Sequence, residues 1–322
     1  MPISFANVVE KQKATRLDNA AHVVGMLDFT RSLVMSYPHP EYLISAEELA
    51  AQLDDPGLRV FDTSVLLHHS DGVYRSEPGR AHYLKEHIAG AGFINLSEDW
   101  SDTNSALSNT LPEIDALCRA IGADGIGNDN PVVLYSSSHL MWATRAWWLL
   151  RYAGHDNVRV LNGNLSAWRA AGLPTQSGEE TYPATSFKAA PRPELFVSTQ
   201  EVVDGMNAAT CTINALPAAI YEGSGDFYYG RPGHIPGSRS LPFADLLRDE
   251  FFLPAEELQE LLTAQGMLDT PRTMIYCGGG IAATLDGFAC MLLGQHNVGV
   301  YDGSMSEWAS DPARPLKIGT EP

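Results

Sequence analysis

This chain has little sulfur and little positive charge. Its 322 residues hold 4 cysteines, and 21 Lys and Arg stand against 39 Asp and Glu, for a formal net charge of −18. Such a surplus repels phosphate backbones and anionic membrane surfaces, so neither nucleic acid nor membrane is expected as a partner. An anionic substrate would need a local positive pocket. Cys118, Cys211, Cys277 and Cys290 lie far apart, with no CxxC pair and no Cys/His cluster at zinc spacing. Neither a disulfide framework nor a bound metal is expected, no motif implies a cofactor, and a reducing, cytoplasmic setting fits. No apolar run reaches membrane-spanning length. The N-terminus has no basic region followed by an apolar core, so a secretory signal is not expected.

The most informative stretch is Thr273-Met274-Ile275-Tyr276-Cys277-Gly278-Gly279-Gly280-Ile281-Ala282-Ala283-Thr284-Leu285. Its first four residues suit a short buried strand, and the run after the glycines suits a helix. A cysteine between a strand end and a helix start sits among unpaired backbone N–H groups. Those donors and the helix dipole favour a thiolate, so a lowered thiol pKa is expected at Cys277. Glycines let the loop curl until several N–H groups face one centre. The anion-binding loop is therefore expected to run from Gly278 through Gly279, Gly280, Ile281 and Ala282 to Ala283.

Around this stretch the chain alternates strand-like and helix-like segments, as expected for a mostly parallel sheet covered on both faces. Strands are expected at Arg59–Asp62, Pro131–Tyr135 and Val158–Leu161, with a turn and short strand over 87–96. Helices are expected over Pro112–Ile121, Ala143–Tyr152 and Ser166–Ala171. Ser45 followed by Glu47 and Glu48 marks a helix start. Residues 8–36 suggest an amphipathic helix within an N-terminal extension, 1–42. A first domain is expected over 43–175, a linker over 176–193 and a second domain over 194–322.

The second domain repeats the first. Residues Gly154–Trp168 align without a gap to Gly294–Trp308, with seven identities in fifteen. His87-Ile88-Ala89-Gly90 matches His234-Ile235-Pro236-Gly237, and Val132–Tyr135 matches Thr273–Tyr276. Cys277 then aligns with Ser136, so only the second copy carries the thiol, and the first is expected to shape one wall of an inter-domain cleft. Ser136 with His139 lacks the acid partner and nucleophile-elbow pattern of a hydrolase. His87 and His234 are expected to bond backbone near turns, Asp302 and Trp308 to be structural, and Cys118, Cys211 and Cys290 to be core. Cys290 is also a candidate resolving thiol.

With these motifs together, the chain resembles the two-domain rhodanese family of thiosulfate and 3-mercaptopyruvate sulfurtransferases. The likeness rests on His234–Ser238, Cys277–Ala282 and Tyr301–Ser304 followed by Glu307-Trp308, and in the first copy on His87–Gly90 and Leu161–Gly163 with Trp168. It covers roughly residues 43–318 and implies a tandem α/β fold. The activity it implies is transfer of a sulfane sulfur from thiosulfate, 3-mercaptopyruvate or a persulfide to a thiol or cyanide, through a Cys277 persulfide. A protein thiol is a further candidate acceptor. The alternative is a degenerate relative that binds or relays sulfur to a protein partner.

Several positions depart from the family pattern. Leu216 and Ile220 stand where arginines are usual, and Gly279 takes the place of a serine that mercaptopyruvate enzymes are proposed to link to an Asp/His relay, here Asp62 and His87. Arg231, Arg239 and Arg248 are the candidate replacements for binding an anionic substrate. A related phosphatase class needs an arginine six residues after its cysteine, and here that residue is Ala283.

Overall fold

The computed structural model describes residues 37–322, except 71–72, 207–209 and 227. The helix expected over 8–36 lies outside the described residues. Two five-stranded sheets form the frame, and every strand in each is parallel to its neighbours. In the first sheet the order is Leu43–Ile44, Val158–Leu161, Val132–Tyr135, Arg59–Asp62 and Gly92–Phe93. In the second it is Phe196–Val197, Val298–Tyr301, Thr273–Tyr276, Cys211–Asn214 and Arg239–Ser240. The two orders correspond strand for strand, as the sequence repeat requires.

The central strands, Val132–Tyr135 and Thr273–Tyr276, are buried along their whole length. That burial explains their unbroken β-prone sequence, since helices cover both faces of the sheet. Each copy begins its first helix with a capping box, from Ser45 to Glu48 in one and from Ser198 to Glu201 in the other. The serine side chain accepts the third residue's N–H, and the glutamate accepts the serine's own N–H.

Some boundaries shift from those expected. The helices run over Ile114–Ala123, Leu140–Ala153 and Asn164–Ala170. Leu140–Ala153 starts earlier than expected because His139 Nδ1 accepts the Met141 N–H and caps it. Tyr37 and Tyr42, taken as extension, are buried in the core, with Tyr42 edge-on to Trp147. The 176–193 segment has little regular structure but is tied along the first copy. Tyr182 packs on Phe61 and its hydroxyl accepts the Val60 N–H at 3.0 Å, while Thr185 and Ala190 donate to the carbonyls of Gly122 and Ala153. A hairpin of Val65–Ser70 and Val73–Pro78 has no counterpart among the sequence expectations.

The two copies pack mainly through the equivalent helices Leu140–Ala153 and Ala283–Leu292. Thr144 Oγ1 and Thr284 Oγ1 meet at 2.9 Å near a pseudo-twofold relation between them. The contact extends to both flanks. Leu111 N–H of the first copy donates to Asp302 Oδ2 of the second at 2.7 Å, and Phe252 N–H of the second donates to Asn162 Oδ1 of the first at 3.0 Å.

One buried group breaks this pattern. Asp286 is fully buried on the second helix, and among the described residues no neighbour gives either carboxyl oxygen a hydrogen bond. Burial, with Asp245 nearby, pushes its pKa well above the usual carboxylate range. The repeat places Ala146 at the same point of the first helix, also buried. Asp286→Ala is expected to stabilise the protein by about 1–3 kcal/mol at neutral pH. Between the unfolded pKa of about 3.9 and the raised folded value, the folded state holds a proton that the unfolded state has lost, so wild-type stability falls as pH rises. The gain should therefore be smallest below about pH 4 and grow with pH. Urea unfolding at three pH values measures it, and a gain independent of pH would contradict this account.

Candidate active site

Cys277 lies at the carboxyl end of the central strand Thr273–Tyr276 and is almost completely buried. In an open parallel sheet this is where ligands bind. Ser304, at the start of the helix Ser304–Trp308, organises the loop that follows. Its Oγ accepts the N–H groups of Cys277 at 3.0 Å and Gly280 at 3.1 Å, and donates to the Tyr301 carbonyl at 2.6 Å. Ser304 sits at φ +48°, as its counterpart Asn164 does at +56°, a left-handed conformation uncommon outside glycine. In the first copy Asn164 Oδ1 accepts the Ser136 N–H in the same way. Each loop is thus drawn in by a side chain from the end of the neighbouring strand.

The glycines have separate uses. Gly280 has φ +73°, and a Cβ there would meet the Asp302 carbonyl at 2.7 Å. A Cβ on Gly278 would fall 2.0 Å from the Tyr229 ring, so the ring approaches the loop backbone closely. Ser306 N–H and Oγ hold the Gly278 carbonyl at 2.9 and 2.7 Å, and the Met305 N–H holds the Cys277 carbonyl at 3.0 Å. The loop carbonyls are thus turned away while several amides stay free. No acceptor among the described residues takes the N–H groups of Gly278, Gly279, Ile281 or Ala282. They lie on the loop between Cys277 and the helix that begins at Ala283.

The first copy braces this loop from behind. Arg145, 2 % exposed, pairs with Asp302 Oδ1 at 2.8 Å and donates to the carbonyls of Gly280 at 3.3 Å and Asn109 at 2.9 Å. One buried guanidinium therefore joins the cysteine loop, the strand end beside it and the first copy's 108–111 segment.

In front of Cys277 opens a cavity of about 500 Å³ between the copies. The second copy supplies Leu216, Pro217, Ile220, Tyr228, Tyr229 and Phe243, besides the loop itself. The first supplies Met141, Trp142, Ser108 and Asn109, with Leu67 and Ser76 from the hairpin. Among the described lining residues there is no Lys, Arg, His, Asp or Glu.

The expected anion-binding arginines lie elsewhere. Arg231 spends its guanidinium on the carbonyls of Ala309, Asp311 and Arg314, fastening the C-terminal segment. Arg239 donates to the Gln265 carbonyl, and Arg248 pairs with Glu257 at the surface. None of the three lines the cavity. Leu216 and Ile220, in the place of the family's arginines, do line it. Asp62 and His87 stay within the first copy. Asp62 accepts from the Ser64 N–H and Oγ, with burial raising its pKa to about 6, and His87 bonds the Tyr83 carbonyl and stacks on the Tyr83 ring. His234 repeats that arrangement with Tyr221, its Nδ1 2.9 Å from the Tyr221 carbonyl and the rings 3.7 Å apart. Both histidines are packing elements.

Ser136 and His139 do not form a nucleophile–base pair. Ser136 Oγ accepts the Ser138 and His139 N–H groups, and His139 Nδ1 is occupied by the helix cap. The first copy's own strand-end loop is also covered. Phe251 packs against Gly163, and Phe243 stands edge-on to His139. Cys290 is wholly buried with a thiol pKa pushed well up by burial, and it does not line the cavity. All four cysteines are unpaired.

Comparison with known proteins agrees with the duplicated architecture. The rhodanese-like domain matches twice, over residues 45–171 and 215–311. The chain belongs to the rhodanese family. It is 31 % identical over 290 residues to the 3-mercaptopyruvate sulfurtransferase of Escherichia coli K12, covering 86 % of this chain and 99 % of that protein. It is 33 % identical over 288 residues to the putative thiosulfate sulfurtransferase SseB of Mycobacterium tuberculosis H37Rv, covering 87 % and 98 %. The crystal structure of the 3-mercaptopyruvate sulfurtransferase SseA from Escherichia coli superposes with a TM-score of 0.73 at 30 % identity, over 82 % of this chain and 98 % of SseA. Within this rhodanese fold, Arg145, Ser304, Ser306 and the hairpin were not apparent from the sequence. Ser304 left two signals, its place in the Tyr301–Ser304 segment and its place opposite Asn164 in the repeat.

Proposed function

We propose that the protein is a sulfurtransferase that carries sulfur as a persulfide on Cys277. One observation carries the reading: a single cysteine follows the central strand, lines a cavity and precedes loop amides that no described residue accepts. In the first half-reaction the Cys277 thiolate attacks the outer sulfur of a donor. An Sγ–S bond forms, and the bond that held that sulfur breaks. The rest of the donor leaves with the electron pair and takes up a proton. The amides of Gly278, Gly279, Ile281 and Ala282 stabilise the negative terminal sulfur. In the second half-reaction a thiol or cyanide attacks that sulfur and the Cys277 thiolate departs.

The sulfurtransferase relatives support this class of donor and acceptor. Four unpaired cysteines suit a reducing compartment, and we assign the protein to the cytoplasm on that ground. No helix among the described residues is long and apolar enough to cross a membrane.

Protein loaded with donor and freed from it by gel filtration should turn cyanide into about one equivalent of thiocyanate per chain. Initial rates with both substrates varied should give parallel double-reciprocal lines. Loaded protein that yields its sulfur to no small acceptor would instead assign it to relay toward a protein thiol.

A further inference from the structure

We infer that the sulfur donor is a hydropersulfide borne on an apolar organic group, R–S–SH, an inference that rests on the persulfide reading of Cys277. The cavity walls argue for it. Trp142, Met141, Phe243, Leu216, Ile220 and Ile281 give it an apolar wall, and among the described lining residues there is no Lys, Arg, His, Asp or Glu. The polar side chains of the lining, Ser76, Ser108, Asn109, Ser306, Tyr228 and Tyr229, carry no positive charge. Ser306 Oγ bonds the Gly278 carbonyl, and the Asn109 carbonyl is held by Arg145. Arg145 itself is buried behind the loop and neutralised by Asp302. On the persulfide reading, the loop amides after Cys277 are taken up by the transferred sulfur. A donor carrying a further carboxylate or sulfonate would leave that charge unpaired against hydrocarbon, in a protein of net charge −18. The volume, about 500 Å³, is far more than one sulfur atom needs and lies in the range of cavities that enclose an organic ligand.

The chemistry balances with no further reagent. The thiolate attacks the terminal sulfur of R–S–SH, the donor S–S bond breaks, and R–S⁻ departs and is protonated by solvent. Cys277 keeps the outer sulfur and its proton until the loop amides favour the anion.

The test compares donors on the reduced protein under limiting donor, reading the gain of one sulfur on Cys277 by mass spectrometry. Benzyl hydropersulfide is set against the hydropersulfide of 3-mercaptopropionate, each normalised to its reaction with a small free thiol, with thiosulfate and 3-mercaptopyruvate alongside. Benzyl hydropersulfide is expected to load Cys277 at least about tenfold faster than any of the anionic donors. Ile220→Arg, at the cavity wall, is expected to slow benzyl loading and speed loading by the carboxylate donor. If Ile220→Arg fails to fold, the wild-type comparison decides alone. Equal or faster loading by an anionic donor overturns the inference and leaves the sulfurtransferase reading standing. Loading by no donor overturns both.

Discussion

Cys277→Ala is expected to reduce sulfur transfer to background, a loss on the order of 10⁴-fold or more in kcat/KM. No other thiol is placed to substitute. Cys290 is wholly buried, and burial raises the thiol pKa of Cys118 and Cys211 as well. Ser136, the equivalent position of the first copy, has its Oγ enclosed by the Ser138 and His139 amides and the Ser64 hydroxyl. The variant should fold normally, because the loop is held by Ser304, Ser306 and Met305 through backbone groups rather than through the thiol. A Cys277→Ala protein that still turned over at a tenth of the wild-type rate would remove the nucleophile from the mechanism.

The second large effect is at the brace. Arg145→Leu should destabilise the protein by about 2–4 kcal/mol, because it leaves Asp302 as a partly buried charge with no cation. It also strips the Gly280 carbonyl of its donor, so activity should fall along with stability. The duplication supplies the rescue. At the pseudo-symmetric positions the protein already uses Leu285 and Asn162 in place of Arg145 and Asp302, and Asn162 still accepts the Phe252 N–H as Asp302 accepts that of Leu111. Asp302→Asn alone strands the Arg145 charge. Arg145→Leu with Asp302→Asn should recover most of the stability lost by either change, a coupling read from a double-mutant cycle of urea midpoints. A double variant no more stable than the worse single variant would contradict the neutralisation argument.

Much of the fold was legible because duplication writes the same pattern twice. The strand Val132–Tyr135 and its partner Thr273–Tyr276 show the buried parallel signature, and the alignment of Gly154–Trp168 with Gly294–Trp308 fixes the correspondence of the copies. Cys277 and its glycines were legible for a local reason, since strand, loop and helix are contiguous there. What the chain brings together from a distance was not. Arg145 reads in sequence as one of two arginines in a Trp-rich helix, and only the helix crossing shows that it reaches Asp302. Arg231 illustrates the reverse case. A positive charge near Gly233-His234 suggested anion binding, but three backbone carbonyls of the C-terminal segment take its donors. The hairpin that brings Leu67 and Ser76 to the cavity has a mixed sequence with no strict alternation, and its pairing with the neighbouring copy's site depends on tertiary placement.

The mass of the Cys277 peptide after exposure of reduced protein to a sulfur donor tests the central claim most directly. The account predicts the addition of one sulfur atom to that peptide, reversed by cyanide and absent from Cys277→Ala. Sulfur found on another cysteine, or on none with thiosulfate, 3-mercaptopyruvate and both hydropersulfides, would contradict it.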